Sequence, residues 1–284
     1  MFRLLYINWE VNPIMFHIGP IPIRWYSMMF FVSFALGLYI FAKMVRSEGK
    51  PAVLSDNIIF PVFFGTLFGA RIGHCLFYQP DYFLKHPLEI LIPFHDGKFT
   101  GYEGLASHGA AIGILLALYW FSRKYKVAYF WTLDRIVITV ALSGFFIRVG
   151  NLMNSEIYGH ITNLPWGFVF LQNGETEPKH PSQIYEALAY LAVFAILYAV
   201  YLKKKPPFKD GIIFGLFLIM LFGARFFIEF LKEIQVGFEA NMALDMGQIL
   251  SLPLISAGII IIWQVGKNGL TAADAKTRKA KSKS

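Results

Sequence analysis

The sequence predicts an all-α, polytopic integral membrane protein of about seven transmembrane helices with an outward-facing loop region, and three observations carry that expectation. Hydrophobic residues make up 56% of the 284 and charged residues only 15%, against roughly 25% charged in soluble domains; mean hydropathy is +0.51. Apolar runs near bilayer length, about 20 residues, recur at 25–44, 58–78, 105–122, 136–150, 184–202, 212–231 and 248–265. With the amino terminus outside, seventeen Lys and Arg fall on cytoplasmic loops and tail and six on the outer side, as the positive-inside rule requires. Residues 1–266 therefore read as a single membrane domain and 267–284 as a basic, disordered cytoplasmic tail. The net charge of +8 follows from topology and attraction to anionic lipid, and no nucleic-acid partner is expected.

Taken in order, the first 24 residues lack a basic segment followed by a cleavable apolar core, so no signal peptide is expected. Ile14-Met15-Phe16-His17-Ile18-Gly19-Pro20-Ile21-Pro22 reads as an apolar arm on the outer face. Span one opens outside at Trp25 and Tyr26. Span two carries Arg71 between Gly69 and Gly73, a GxxxG spacing that admits close helix packing. Its Cys75 is the single cysteine, which excludes an intramolecular disulfide, and it reads as an inert buried thiol because no basic cluster lowers its pKa. Span three descends from outside with His108 three residues in, and the short span four ends in the polar block Arg148-Val149-Gly150-Asn151-Leu152-Met153-Asn154-Ser155-Glu156. His180-Pro181-Ser182-Gln183-Ile184-Tyr185-Glu186 leads into span five. Span six repeats the Leu-Phe-Gly-Ala-Arg of span two, ending at Arg225, with Glu229 one turn on as an i,i+4 partner. Span seven returns the chain to the cytoplasm. The long connections 79–104 and 151–183 both face outward, which puts the working face outside.

Arg71, Arg148 and Arg225 lie in these apolar runs, where a charge costs at least about 2.5–3.5 kcal/mol and seldom persists without a partner or a task. Spans two, four and six run in the same direction, and the arginines follow Ile58, Ile136 and Ile212 by 13, 12 and 13 residues. At about 1.5 Å per residue each sits roughly 18–20 Å into a core about 30 Å thick. Three cations at one depth describe an anion site. Each also has a structural reading, in which the arginine pairs with a glutamate or a backbone carbonyl to hold helix register. For Arg71, with no acid in its helix after Asp56, that reading weighs heavily.

Guanidinium forks match phosphate oxygens bidentately, and the phosphates available at that depth belong to outer-leaflet phospholipids. The chain has no HExxH, cysteine pair or aspartate-rich run, no Gly-rich nucleotide loop and no GxSxG elbow, so neither metal nor cofactor is expected. Arginines, histidines and asparagine suit group transfer in which phosphate is held or leaves. A histidine removes a proton from the attacking group, and arginines stabilise charge on the departing oxygen.

The run Arg148-Val149-Gly150-Asn151-Leu152-Met153-Asn154-Ser155-Glu156-Ile157-Tyr158-Gly159 resembles the signature G-R-x-G-N-x-x-N-x-E-x-x-G of bacterial prolipoprotein diacylglyceryl transferases, with Ile147 at the first glycine. Supporting matches are Arg24-Trp25-Tyr26, Gly69 to Gly73, Ser107-His108-Gly109, His180 to Glu186, Gly223-Ala224-Arg225 with Glu229, and Met246 to Ser251. The resemblance implies transfer of the diacylglyceryl group of phosphatidylglycerol to the lipobox cysteine of a preprolipoprotein, at the bacterial inner membrane, with glycerol 1-phosphate released. It implies His108, Arg148 and Arg225 as catalytic residues. Tyr26, Arg71, Asn151, Asn154, Glu156, Gly159, His180, Gln183 and Glu229 are implied around the substrate. Two departures stand out: the loop 97–104 before His108 is longer than the family's, and Leu221 stands where many members have tyrosine. A phospholipid transporter or flippase using the same arginines is the alternative, although the echo of span two in span six joins parallel helices and makes no inverted repeat.

Overall fold

The computed structural model describes residues 6–77, 79–91, 94–95, 98–99, 106–204, 209–233 and 242–268; the tail expected to be disordered lies outside them from 269 on, as does most of the loop before His108. The long helices are α1 (Trp25–Ser47), α2 (Val53–Phe77), α5 (Ser107–Tyr125), α6 (Tyr129–Met153), α7 (Ser182–Lys204), α8 (Ile212–Glu229) and α9 (Met246–Asn268). Two single-turn helices, α3 (Pro80–Phe83) and α4 (Leu88–Leu91), follow α2. Among the described residues, all of the long helices except α5 are long and apolar enough to cross a membrane. The third expected span does form α5, but Arg123 and Lys124 in its last turn dilute it. Large apolar side chains such as Phe60, Leu116, Leu188, Phe227 and Ile259 point outward from the helices, where a water-soluble protein rarely exposes so many together. The chain is a polytopic, mainly helical membrane protein.

Several helices start earlier than hydropathy placed them. The span expected at 58–78 begins at Val53, and the one expected at 136–150 begins at Tyr129. The extra turns hold polar residues that the fold pairs. Asp134 is fully buried, and its carboxylate accepts the Gly211 and Phe214 amides at 2.7 Å each. It thereby caps the start of α8, where free N–H groups need acceptors. Short strands, which the all-helical expectation omitted, order the connections: β1 (Ile7–Trp9), β2 (Ile14–Ile18), β3 (Ile21–Arg24), β4 (Phe94–His95), β5 (Lys98–Phe99) and β6 (Phe168–Phe170). They pair as β1 with β6 in parallel and as the hairpins β2–β3 and β4–β5. The apolar arm of the sequence is the β2–β3 hairpin, turning at Gly19 with φ +58.

The chain divides into two units, residues 42–133 and residues 1–41 with 134–284, the boundaries falling within α1 and α6. In the first, α2 and α5 meet along a glycine seam. A Cβ on Gly73 would stand 2.7 Å from the Gly109 Cα, and one on Gly65 2.8 Å from the Gly113 carbonyl. Backbones thus touch directly, and the expected GxxxG packing is realised. In the second unit, α8 lies between α7 and α9. Leu152, Phe168 and Phe170 form a buried cluster with Trp9, Tyr158 and Ile184, tying the loop after α6 to β1.

Candidate active site

Arg148 and Arg225 come together on one buried ion network in the second unit. Arg148 Nε lies 2.8 Å from Glu186 Oε2, and its Nη1 donates to Asn151 Oδ1 at 3.0 Å. The Glu186 side chain is wholly buried; its Oε1 also meets Lys232 Nζ at 3.1 Å and accepts from the Tyr190 hydroxyl at 3.2 Å. Lys232 Nζ continues to Glu229 Oε2 at 3.1 Å. The expected pairing of Arg225 with Glu229 is the loosest link, at 3.8 Å. Glu229 is held from the other side by the first turn of α9, where a Cβ on Gly247 would stand 2.5 Å from its carboxyl carbon.

The signature block forms a strained loop where α6 ends. Ser155 and Ile157 have φ of 53 and 61, a left-handed conformation that is costly for a β-branched residue. Its neighbours hold it in place. The Asn151 and Asn154 side-chain amides donate to Glu156 Oε1 at 2.6 and 3.4 Å. Gln183 Nε2 donates to the Glu156 carbonyl and Ser182 Oγ to that of Ile157, each at 2.7 Å. Asn151 is therefore engaged at both ends of its amide, and Gln183 grips the loop backbone. The Tyr26 ring rests on Gly150, where a Cβ would meet its Cδ2 at 2.9 Å.

Gly159 pairs with Lys232 in an isolated bridge, and its amide donates to the His180 carbonyl at 2.8 Å. The Leu231 carbonyl and the His180 Cβ occupy the space a side chain would need, so only glycine admits this crossing. The His180 ring lies 3.2 Å from the Tyr185 hydroxyl. Burial first, and then the charge of His160, hold His180 below the ordinary imidazole value. On the same loop Lys179 joins Glu175 at 2.9 Å and Glu233 at 2.5 Å. Burial opposes its ammonium, but the two carboxylates outweigh that and raise its pKa.

Arg71 and His108 belong to the first unit. Arg71 is buried and donates from Nη2 to the Glu89 carbonyl at 2.9 Å and from Nε to the Ile90 carbonyl at 3.2 Å, its guanidinium 4.8 Å from the Phe83 ring centre. Backbone carbonyls thus meet this arginine, as its structural reading required. His108 is exposed in the first turn of α5, beside the Gly109 of the seam. Among the described residues no group of His, Cys, Asp and Glu is arranged to hold a metal.

Sequence reading missed Glu186, Tyr190 and Lys232. Glu186 closes the run from His180 that leads into span five, where its position alone assigns it no role. A signal existed: it is the sole acid in the apolar helix α7, and a lone carboxylate there calls for a cation as much as a lone arginine calls for an anion.

Fold and site together define a class, an integral membrane protein whose helices converge on a buried arginine–lysine–carboxylate network beside a strained polar loop. Residues 13–264 match the family Prolipoprotein diacylglyceryl transferase. A phosphatidylglycerol–prolipoprotein diacylglyceryl transferase of Bacteroides fragilis is 42% identical over 269 residues, 93% of this chain and 97% of its own. Proteins with the same name from Tolumonas auensis (42% identical, 89% of this chain and 95% of the relative) and Chloroherpeton thalassium (41%, 91% and 94%) are similar throughout. The chain belongs to the prolipoprotein diacylglyceryl transferase family.

Proposed function

We propose that this protein transfers the diacylglyceryl group of phosphatidylglycerol to the lipobox cysteine of preprolipoproteins, in the bacterial inner membrane, with its working face outward and its carboxyl terminus in the cytoplasm. The observation that carries the reading is the convergence of Arg148 and Arg225 on the Glu186 network in a member of this family. The lipid phosphate lies against the two guanidiniums, with Asn151 and Glu186 setting the orientation of Arg148 and Glu229 standing beside Arg225. Tyr26, Asn154, Glu156, Gly159, His180 and Gln183 shape the wall and loop around the head group. Arg71 supports the fold of the α2–α5 unit through the backbone carbonyls it binds.

The cysteine thiol, with a pKa of about 8.5, must lose its proton to attack, and the Ser107-His108-Gly109 motif marks His108 as the proposed acceptor. The thiolate sulfur attacks the glyceryl carbon bearing the phosphate ester. A sulfur–carbon bond forms as the carbon–oxygen bond breaks, and the electron pair leaves on the phosphate oxygen, where Arg148 and Arg225 stabilise it. Glycerol 1-phosphate departs and the thiol proton ends in solvent. The test is purified protein with phosphatidylglycerol and a lipobox peptide. The expected result is a peptide heavier by one diacylglyceryl group on its cysteine; lipid translocation without modification would refute the proposal in favour of a transporter. A His108→Gln variant transferring at an unchanged rate across pH 6–9 would remove the proton-acceptor role.

A further inference from the structure

We infer that Lys232 is a positioning residue for the lipid head group: it neutralises Glu186 and Glu229 together and so leaves the Arg225 guanidinium available to the lipid phosphate. The inference rests on the function proposed above and deepens it. The charges in contact are three cations, Arg148, Arg225 and Lys232, and two carboxylates, Glu186 and Glu229. The excess is one positive charge, which matches the single negative charge of a phosphodiester.

The geometry shows which cation carries the excess. Lys232 is 2% exposed and places Nζ 3.1 Å from both carboxylates, spending two of the three donors of an ammonium. Arg148 is committed to Glu186 and Asn151. Arg225 is 28% exposed, and its contact with Glu229, at 3.8 Å, lies beyond hydrogen-bond length. Without the Lys232 ammonium, Glu229 would be left buried with Arg225 one turn away on the same helix. That guanidinium would then be drawn onto the carboxylate, and the excess charge would vanish.

The backbone around Lys232 is fixed for this task. Besides the Gly159 bridge, the His160 amide donates to the Leu231 carbonyl at 2.9 Å and the Glu233 amide to that of Tyr158 at 3.3 Å. The Lys179–Glu233 ion pair closes the same seam. The signature glycine thus contributes by seating Lys232.

The test is equilibrium binding of phosphatidylglycerol to the full chain in neutral-detergent micelles, read by native mass spectrometry, alongside transfer to the lipobox peptide. Lys232→Met is expected to weaken binding and raise the apparent KM for phosphatidylglycerol about tenfold, equivalent to ~1.4 kcal/mol. Lys232→Arg, which keeps the charge, stays within about threefold of wild type, well inside that tenfold step. The double variant Lys232→Met with Glu229→Gln recovers most of the affinity, because the carboxylate that captures Arg225 is gone. Wild-type affinity in Lys232→Met, or a double variant no tighter than the single, would overturn the inference. Should Lys232→Met not fold, the double variant decides: near-wild-type affinity supports the inference and a tenfold loss overturns it. The expected binding pattern without any transfer by the wild type would leave the Lys232 role standing and sink the transferase reading.

Discussion

Replacing Glu186 with alanine removes the residue on which the network converges. Its side chain is fully buried, and it meets Arg148 at 2.8 Å, Lys232 at 3.1 Å and the Tyr190 hydroxyl at 3.2 Å. Removing one partner of a buried ion pair costs about 3–5 kcal/mol, because the other charge stays desolvated. Here two cations are stranded, but neither completely: Lys232 keeps Glu229, and Arg148 keeps its bond to Asn151. The loss therefore falls at the lower end, about 3 kcal/mol. Glu186→Gln, which retains an oxygen for Lys232 and Tyr190, loses less than the alanine variant. The assay is unfolding in mixed micelles by graded addition of sodium dodecyl sulfate, followed by circular dichroism. Glu177→Gln, on the exposed loop, serves as control and shifts stability by less than about 0.5 kcal/mol. A Glu186→Ala variant within about 1 kcal/mol of wild type, against the ~3 expected from stranded buried charge, would refute the reasoning that the network binds α6, α7 and α8 together.

Three further outcomes follow from the same structure. Gly113→Leu drives a side chain into the Gly65 carbonyl across the α2–α5 seam and costs about 3 kcal/mol or more; protease susceptibility of the 42–133 unit reports it. Asp134→Ala uncaps α8 at Gly211 and Phe214, a loss of about 2 kcal/mol at the upper end for caps, read by the same detergent titration. His180, held below its reference of 6.5 by burial and by His160, binds its proton less readily folded than unfolded. Its contribution to stability is present above the unfolded value and is lost as pH falls through 6.5 towards the folded one. Proton–nitrogen spectra of labelled histidine should give His180 a midpoint below 6.5, and a midpoint above it would contradict the burial argument.

Much of this protein was legible without coordinates. Membrane insertion is decided by side-chain transfer energies summed over about 20 residues, and that sum is local, so the apolar runs marked the helices directly. Arg148 and Arg225 announced themselves for the same reason, as charges in segments that ought to hold none. The glycine spacing at 69 and 73 predicted a close helix contact, and α5 supplies it at Gly109 and Gly113.

What the sequence left open was partnership. Glu229, one turn from Arg225, looked like its natural counterion, yet Lys232 lies closer to that carboxylate. Arg71 resembled Arg225 in its flanking pentapeptide, but carbonyls of the turn at Glu89 and Ile90 receive its donors. Glu186 and Gly159 acquire their roles only when α7, α8 and the loop after α6 cross, because ion pairing falls off over a few ångströms and depends on helix crossing rather than on spacing along the chain. Composition and the length of the apolar runs alone determined that this chain spans a membrane and carries arginines there. Tertiary packing decided which of those arginines are tied down, by which carboxylates and carbonyls, and left Arg225 the more exposed of the pair, at the longest contact with its carboxylate.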